Sequence, residues 1–465
     1  MDFAINVQEH GVTGNGVTDD APALNDLFNA IAAAGPTTVY FPRGTYLIKG
    51  FVYLDGSSQS SPISGLHVFA DPGTIIKAAT IAQGGVWGAS ASAMFQFRSS
   101  ASPATNVLIE GFTFDGQSFG TTGQTVAGIY TTAITGLTVR NCIFKNIGDT
   151  DLGNASAPRN DGIILGDNAP GFAVSMRAKD VLIEKCRFIS IVRNGISGLD
   201  VDGLVVDSCT FDGIDNSGID CEPNIALQFA RDIKITRCTF NDWYASAVVI
   251  VPGVALLGST YPAQMEGVKV TECYMDGATV GKSGVSVRNW LDVNIANNTV
   301  VRVADPAIYL QSCVGVRVAG NHVRDASNTT GAILISQADA IQPQDHVVQG
   351  NTVKNSAGYG IRISDLDTGA FVGNTVRVYD TALAARTGIS FSVSASTCRN
   401  IAIVANNVTG GGARGRRLGR READRHRLGL HPDAGRRQRG TREWSRSLHG
   451  CRGQRRGLDD PDGEL

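Results

Sequence analysis

The chain has 465 residues, 42% of them hydrophobic and 18% charged, so a packed core is within reach and global disorder is excluded. Its formal charge of −2 hides a split: residues 411–465 carry 15 Arg, no Lys and 8 acidic side chains, a net of +7. The remainder is then acidic, at −9, which argues against nucleic acid as the main partner.

No run of about 18 apolar residues is present, so no segment reads as membrane-spanning, and no basic-then-apolar leader follows Met1. Nine Cys without a CxxC pair suggest neither a disulfide-dense scaffold nor a zinc site. Glycine is abundant, at 55 residues, and only 7% of the chain is aromatic, which suggests many short strands joined by tight turns.

A helix comes first. Asp19-Asp20-Ala21-Pro22 reads as a cap and an early-turn proline; Leu24, Leu27, Phe28 and Ile31 follow at helical spacing, and Gly35 ends the element. Val39–Tyr46 then reads as strand, turn and strand. From about Met94 the sequence repeats itself. A phrase with Cys two residues before an aromatic recurs at Cys142, Cys186, Cys209 and Cys238, with Met275 taking the aromatic place after Cys273. It passes into Asn-x-Val at Asn298, Asn321, Asn351 and Asn374. A second phrase, Gly or Ala followed by Ile or Val, begins at Gly128, Gly162, Gly195, Gly218, Ala247, Gly284, Ala307, Ala332, Gly360 and Gly388, in steps of 23 to 37 residues. A floor near 23 is one coil of a parallel solenoid with three short strands and three turns. The expectation is therefore an all-β, right-handed parallel β-helix with an N-terminal capping helix. Residues 1–93 would hold the cap and first coils, 94–410 the β-helix, and 411–465 an Arg-rich tail, disordered or frameshift-derived. The Cys and Asn ladders read as inward, structural stacks.

Within each Gly-Ile-x-x-x phrase, alternation sends the third and fifth residues outward. The predicted outward stripe runs Tyr130 and Thr132; Ile164 and Gly166; Ser197 and Leu199; Asp220 and Glu222; Val249 and Val251; Ser286 and Arg288; Tyr309 and Gln311; Leu334 and Ser336; Arg362 and Ser364. Turn residues Asp161, Arg193, Asn194, Asp215 and Lys282 border it, and none of the seven His falls on it. Asp220 and Glu222 share a strand face with Cα atoms about 6.5 Å apart. With Asp161 and Asp215 nearby, they form a predicted carboxylate cluster. Such a cluster can supply the acid and base of inverting glycoside hydrolysis. It can also neutralise a uronate so that a base takes its C5 proton, with or without Ca²⁺ held by Asp215, Asp220 and Glu222. Asp161, Asp220, Glu222 and Arg288 are the catalytic candidates, and Tyr130, Arg193, Asn194, Asp215, Lys282, Tyr309, Gln311 and Arg362 the substrate-binding ones.

The segment Val7–Ile48, through Gly11-Val12-Thr13-Gly14-Asn15-Gly16-Val17-Thr18-Asp19-Asp20 and Val39-Tyr40-Phe41-Pro42-Arg43-Gly44-Thr45-Tyr46, resembles the start of pectate-lyase superfamily proteins. These include polygalacturonases, rhamnogalacturonases, mannuronan C5-epimerases and phage tailspikes. The resemblance implies a glycan groove along one sheet, a polysaccharide partner that is usually acidic, a secreted or extracellular location, and a monomer, or a homotrimer if tailspike-like. With the acidic body and the lack of a long apolar run, no nucleic-acid or membrane partner is expected, and no cofactor unless Ca²⁺. Asn160-Asp161-Gly162 and Gly360-Ile361-Arg362 resemble polygalacturonase phrases, but Arg193-Asn194 stands where that family carries an Asp pair. Gly218-Ile219-Asp220 resembles part of the epimerase phrase Gly-Phe-Asp-Pro-His-Glu. A lyase or C5-epimerase on uronate polysaccharide is the leading reading; an inverting hydrolase and a non-catalytic glycan-binding or tailspike-like protein are the alternatives.

Overall fold

The computed structural model describes residues 4–409 apart from 33–34, 57–62, 88–91, 98–102, 119–124, 149–159, 167–176, 225–227, 254–264, 279–280, 340, 378–387 and 393–399. The Arg-rich tail of the sequence reading lies outside the described residues. Three parallel sheets run the length of the molecule. The first, of 14 strands, goes from Ile5–Asn6 to Ile401–Val404; the second, also of 14, from Asn15–Asp19 to Asn407–Thr409; the third, of 12, from Val52–Tyr53 to Ile389–Ser392. Except at the two ends, each coil gives one strand to each sheet, so the chain winds as a parallel β-helix. The sheets pass without interruption through residues 93–94.

Side chains alternate in and out, and identical positions stack from coil to coil. Phe114, Phe144, Phe188, Phe211 and Phe240 form a face-to-face column with ring centroids 4.9, 4.9, 4.7 and 4.6 Å apart. Met275, Val300, Val323, Val353 and Val376 continue it in register. That column explains the second phrase. A Cβ on Gly195 would lie 2.6 Å from both the Gly218 carbonyl oxygen and the Phe211 ring, so the slot beside the column takes only glycine or, where Val or Met replaces Phe, often alanine.

The Cys and Asn phrases prove to be one ladder. The backbone N–H of Cys273 donates to Asn298 Oδ1 at 2.9 Å, and Asn298 donates to Asn321, Asn321 to Asn351, Asn351 to Asn374 and Asn374 to Asn406. Each amide also donates to a backbone carbonyl one coil earlier, as Asn321 Nδ2 does to Ile295 O at 2.8 Å. In the upper rungs the Cys thiols donate to backbone carbonyls, for example Cys186 to Glu184 O at 3.4 Å. Burial pushes the Cys186 thiol up from its ordinary value, which keeps it unreactive. The inward reading of both ladders holds.

The α-helix α1 (Ala21–Ile31) seats Leu24, Leu27, Phe28 and Ile31 on the first coil. One detail differs from expectation: Asp20 does not cap it. Its carboxylate instead accepts from the Thr13 N–H at 2.7 Å, the Thr13 hydroxyl at 2.8 Å and the Gly14 N–H at 3.1 Å, bracing the preceding turn, and Asp19 accepts from the Ala21 N–H. No helix among the described residues is long and apolar enough to cross a membrane.

Candidate functional site

The third sheet carries the predicted stripe in continuous register. Tyr130 pairs with Ile164, Ile164 with Ser197, Ser197 with Asp220, Asp220 with Val249, Val249 with Ser286, Ser286 with Tyr309, Tyr309 with Leu334 and Leu334 with Arg362. All point away from the core, but the stripe is not uniformly open. Tyr130 is buried with Ala93, Ala127, Ile164 and Leu199 in a second apolar cluster on the outer face of this sheet. The Tyr130 phenol is therefore not presented to a ligand, contrary to expectation. The partly exposed half begins at Glu222 and Val249 and runs toward Arg362.

Where the two halves meet lies a dense polar network. Asp161, fully buried, accepts from the Arg193 guanidinium at 2.8 Å, the Asn194 N–H at 3.0 Å and the Ser197 hydroxyl at 3.1 Å. Asn194 donates from Nδ2 to Ser197 Oγ at 2.9 Å and to Asp220 Oδ2 at 3.0 Å, while its Oδ1 accepts from Asn216 Nδ2 and the Ser217 N–H. The other oxygen of Asp220, Oδ1, is buried without a hydrogen-bond partner. The residue is only 7% exposed. Its carboxyl is pushed up to about 7, first by loss of solvent and next by the charge of Glu222, with Arg193 and the Asn194 hydrogen bond opposing. Glu222 is half-buried, and its carboxyl is likewise raised by burial and lowered by Arg193. Arg193 is held above its ordinary value by Asp161 and, more weakly, by Asp220 and Glu222.

The structure thus brings together four of the predicted residues, Asp161, Arg193, Asn194 and Asp220, with Glu222 at the open edge. It changes two roles. Asp161 and Asn194 are too buried and too fully hydrogen-bonded to touch a polymer; they hold Arg193 and Asp220 in place. Ser197 and Asn216, which belong to the same network, were not singled out as functional in the sequence, although Ser197 sits on the stripe.

Three predictions separate from the cluster. Asp215 lies in the turn after Thr210–Ile214, and its carboxyl is raised by partial loss of solvent and by Asp242 rather than by Asp220. Arg288 lies two coils on and forms a bidentate pair with Asp339, at 2.8 and 2.7 Å. That contact had no sequence signal, because Asp339 lies on the loop after Ile333–Ser336. Lys282 is exposed, with its ammonium 5.0 Å over the Tyr244 ring. Among the described residues no three His, Cys, Asp or Glu side chains converge as metal ligands. Tyr309 and Gln311 line the partly exposed half, and Tyr309 is raised by burial beside Ser336 and Arg288. Arg362 lies on the same stripe, five rungs from Asp220.

Comparison with known proteins fits this architecture. A right-handed β-helix family model matches residues 225–377. The mannuronan C-5 epimerase AlgE6 A-module of Azotobacter vinelandii superposes with a TM-score of 0.55 at 17% identity, covering 87% of this chain and 99% of that module. Plasmin and fibronectin-binding protein A of Streptococcus pneumoniae is 32% identical over 81 residues, 16% of this chain and 11% of that protein. The uncharacterised Bacillus subtilis protein YclG is 22% identical over 413 residues, 80% of this chain and 67% of its own length. The chain therefore spans only a ninth of the first of these relatives. A further family model, described as rhamnogalacturonase A/epimerase, pectate lyase-like, matches residues 4–248. That match takes in the N-terminal cap, the Phe column and the Asp161–Glu222 network, and with more than half its length covered the chain belongs to this family.

Proposed function

We propose that the chain is a carbohydrate-active enzyme that hydrolyses an acidic polysaccharide, with Asp220 as general acid and Glu222 as the carboxylate that activates water. The observation that carries this reading is the unequal environment of two carboxyls on one strand face. Asp220 is buried, has an oxygen without a partner and holds its proton to about pH 7. Glu222 stands at the open edge. An acid that stays protonated near neutrality beside a second carboxyl is what glycosidic-bond protonation and water attack require. Arg193 pairs with the buried Asp161, where it can also hold a substrate carboxylate, and its charge opposes the rise that burial gives Glu222. Arg362 and Lys282 farther along favour a polyanion. Such polymers lie outside cells, and the protein would act there.

Elimination or C5 epimerisation is the second reading. It is favoured by the Gly218-Ile219-Asp220 phrase and by the pairing of Arg193 with a protonated carboxyl, which together would neutralise a uronate. It needs a base strong enough for a carbon acid, and the described groups that act on Asp220 are Glu222, Arg193, Asp161 and Asn194, with no Tyr, Lys or His among them. The test is a panel of uronate-containing polysaccharides. New reducing ends without ultraviolet absorbance support hydrolysis. Absorbance of an unsaturated uronate, or solvent tritium uptake without cleavage, replaces it with the second reading. Inertness toward every polymer, with binding retained, would make the groove a lectin-like site.

A further inference from the structure

We propose that Arg362 is the far anchor of the groove, a site that reads a carboxylate about five sugars from the catalytic pair, so that the protein selects long polyuronate chains over short ones. This rests on the acidic-polysaccharide reading above and adds the length and charge that the polymer must have.

The argument begins with charge. Along the partly exposed half of the stripe the outward residues are Glu222, Val249, Val251, Ser286, Arg288, Tyr309, Gln311, Leu334, Ser336, Arg362 and then Ser390 and Ser392. Beyond Glu222 only two of these are ionised. Arg288 is neutralised by Asp339, which takes both its Nε and Nη2 hydrogens. Arg362 has no carboxylate partner among the described residues; its guanidinium lies 5.4 Å over the Tyr359 ring, which fixes its direction without cancelling its charge. It is half-buried, flanked by Leu334 and Ser390 on the adjacent rungs. A half-buried, uncompensated guanidinium on an outward face is costly unless an anion visits it.

Spacing supplies the rest. Asp220 to Arg362 is five rungs, each confirmed by register: Val249, Ser286, Tyr309, Leu334, Arg362. At about 4.8 Å per rung the two lie roughly 24 Å apart. An extended 1,4-linked pyranose chain advances by about one rung per sugar, so a chain lying along the stripe brings a uronate carboxylate to Arg362 about five residues from the one at Asp220. Tyr309 and Gln311, at the third rung, would face sugars in between.

The experiment isolates binding from turnover. Calorimetry with size-defined oligouronates is run on the full chain carrying Asp220→Asn and Glu222→Gln, and on the same chain with Arg362→Gln or Arg362→Lys added. The expected result is that oligomers of about four sugars bind all three proteins equally, whereas those beyond about six lose roughly tenfold with Arg362→Gln and recover most of it with Arg362→Lys. Equal loss at every length, no loss at any length, or no binding of any oligouronate would each overturn the proposal. Melting of the Arg362 variants equal to that of the chain carrying only Asp220→Asn and Glu222→Gln confirms that the fold is intact. If the unsubstituted chain cleaves nothing while the length dependence holds, the hydrolase reading falls and the anchor stands.

Discussion

At the residue scale the decisive group is Asp220. Its carboxyl is ordinary at 3.8 when solvated and stands at about 7 in the fold, so the folded chain holds a proton that the unfolded chain releases. The stability this contributes is complete below about pH 4 and is lost as pH rises through about 7, by about 4 kcal/mol in all. Asp220→Asn removes the titration while its amide oxygen can still accept from Asn194. The variant should be inactive, by at least about a hundredfold, yet melt higher than the parent at about pH 8 and the same at about pH 4. An advantage equal at both pH values would show that Asp220 is not the buried proton store. Because the acid must be protonated, cleavage should also fall as pH rises past about 7. The sequence showed Asp220 and Glu222 as a pair, since alternation alone puts i and i+2 on one face. It did not show that Asp161 and Asn194 would be sealed beneath them. That depends on a neighbouring coil closing over the turn, and nothing in one coil's residues encodes it.

At the element scale one coil dictates the next. The Phe column, the glycine slot and the Cys–Asn ladder were legible as recurring phrases because each coil must match the one beneath it in both shape and hydrogen bonding. The continuity of Cys273 with Asn298 was less visible, since two residue types of different chemistry fill one position. Asn321 tests the ladder. Its amide satisfies the Asn298 N–H and side chain, the Ile295 carbonyl and Asn351 Oδ1. Asn321→Ala leaves these buried groups unpaired and should cost about 2–4 kcal/mol. Asn321→Cys imports the rung used from Cys142 to Cys273 and should cost less; denaturant midpoints of the two variants decide, and equal losses would mean that the thiol contributes no hydrogen bonding. The burial of Tyr130 was the sequence reading's largest miss. Ile164 and Leu199 at outward positions were the available signal, because apolar residues on both faces of a parallel strand mean that both faces are covered.

At the scale of the whole molecule, the last described coil leaves Ile403 51% and Val408 42% exposed, and no other described residue covers this end of the solenoid. Removing residues 411–465 should therefore leave melting and glycan binding unchanged; a drop in either would show that the Arg-rich segment serves the body. Two buried groups in different coils of the solenoid also carry opposed proton linkages. His346 is fully buried, with one ring nitrogen hydrogen-bonded to the Cys313 carbonyl at 2.9 Å and Nδ1 without a partner. Burial lowers it from 6.5 to about 4, so here the unfolded chain binds the extra proton, and stability of about 3 kcal/mol is present above about pH 6.5 and lost as pH falls toward 4. Asp220 loses stability in the same window as pH rises. The two slopes are of equal size and opposite sign, and the groups lie several coils apart, where effects add. Their contributions should cancel between about pH 4 and 6.5 in the parent. Asp220→Asn should unmask a stability that climbs with pH, His346→Gln one that falls with pH, and the double variant should be as flat as the parent. Melting temperatures of the four proteins across that window carry the test, and a single variant whose slope matches the parent's would remove its residue from the linkage.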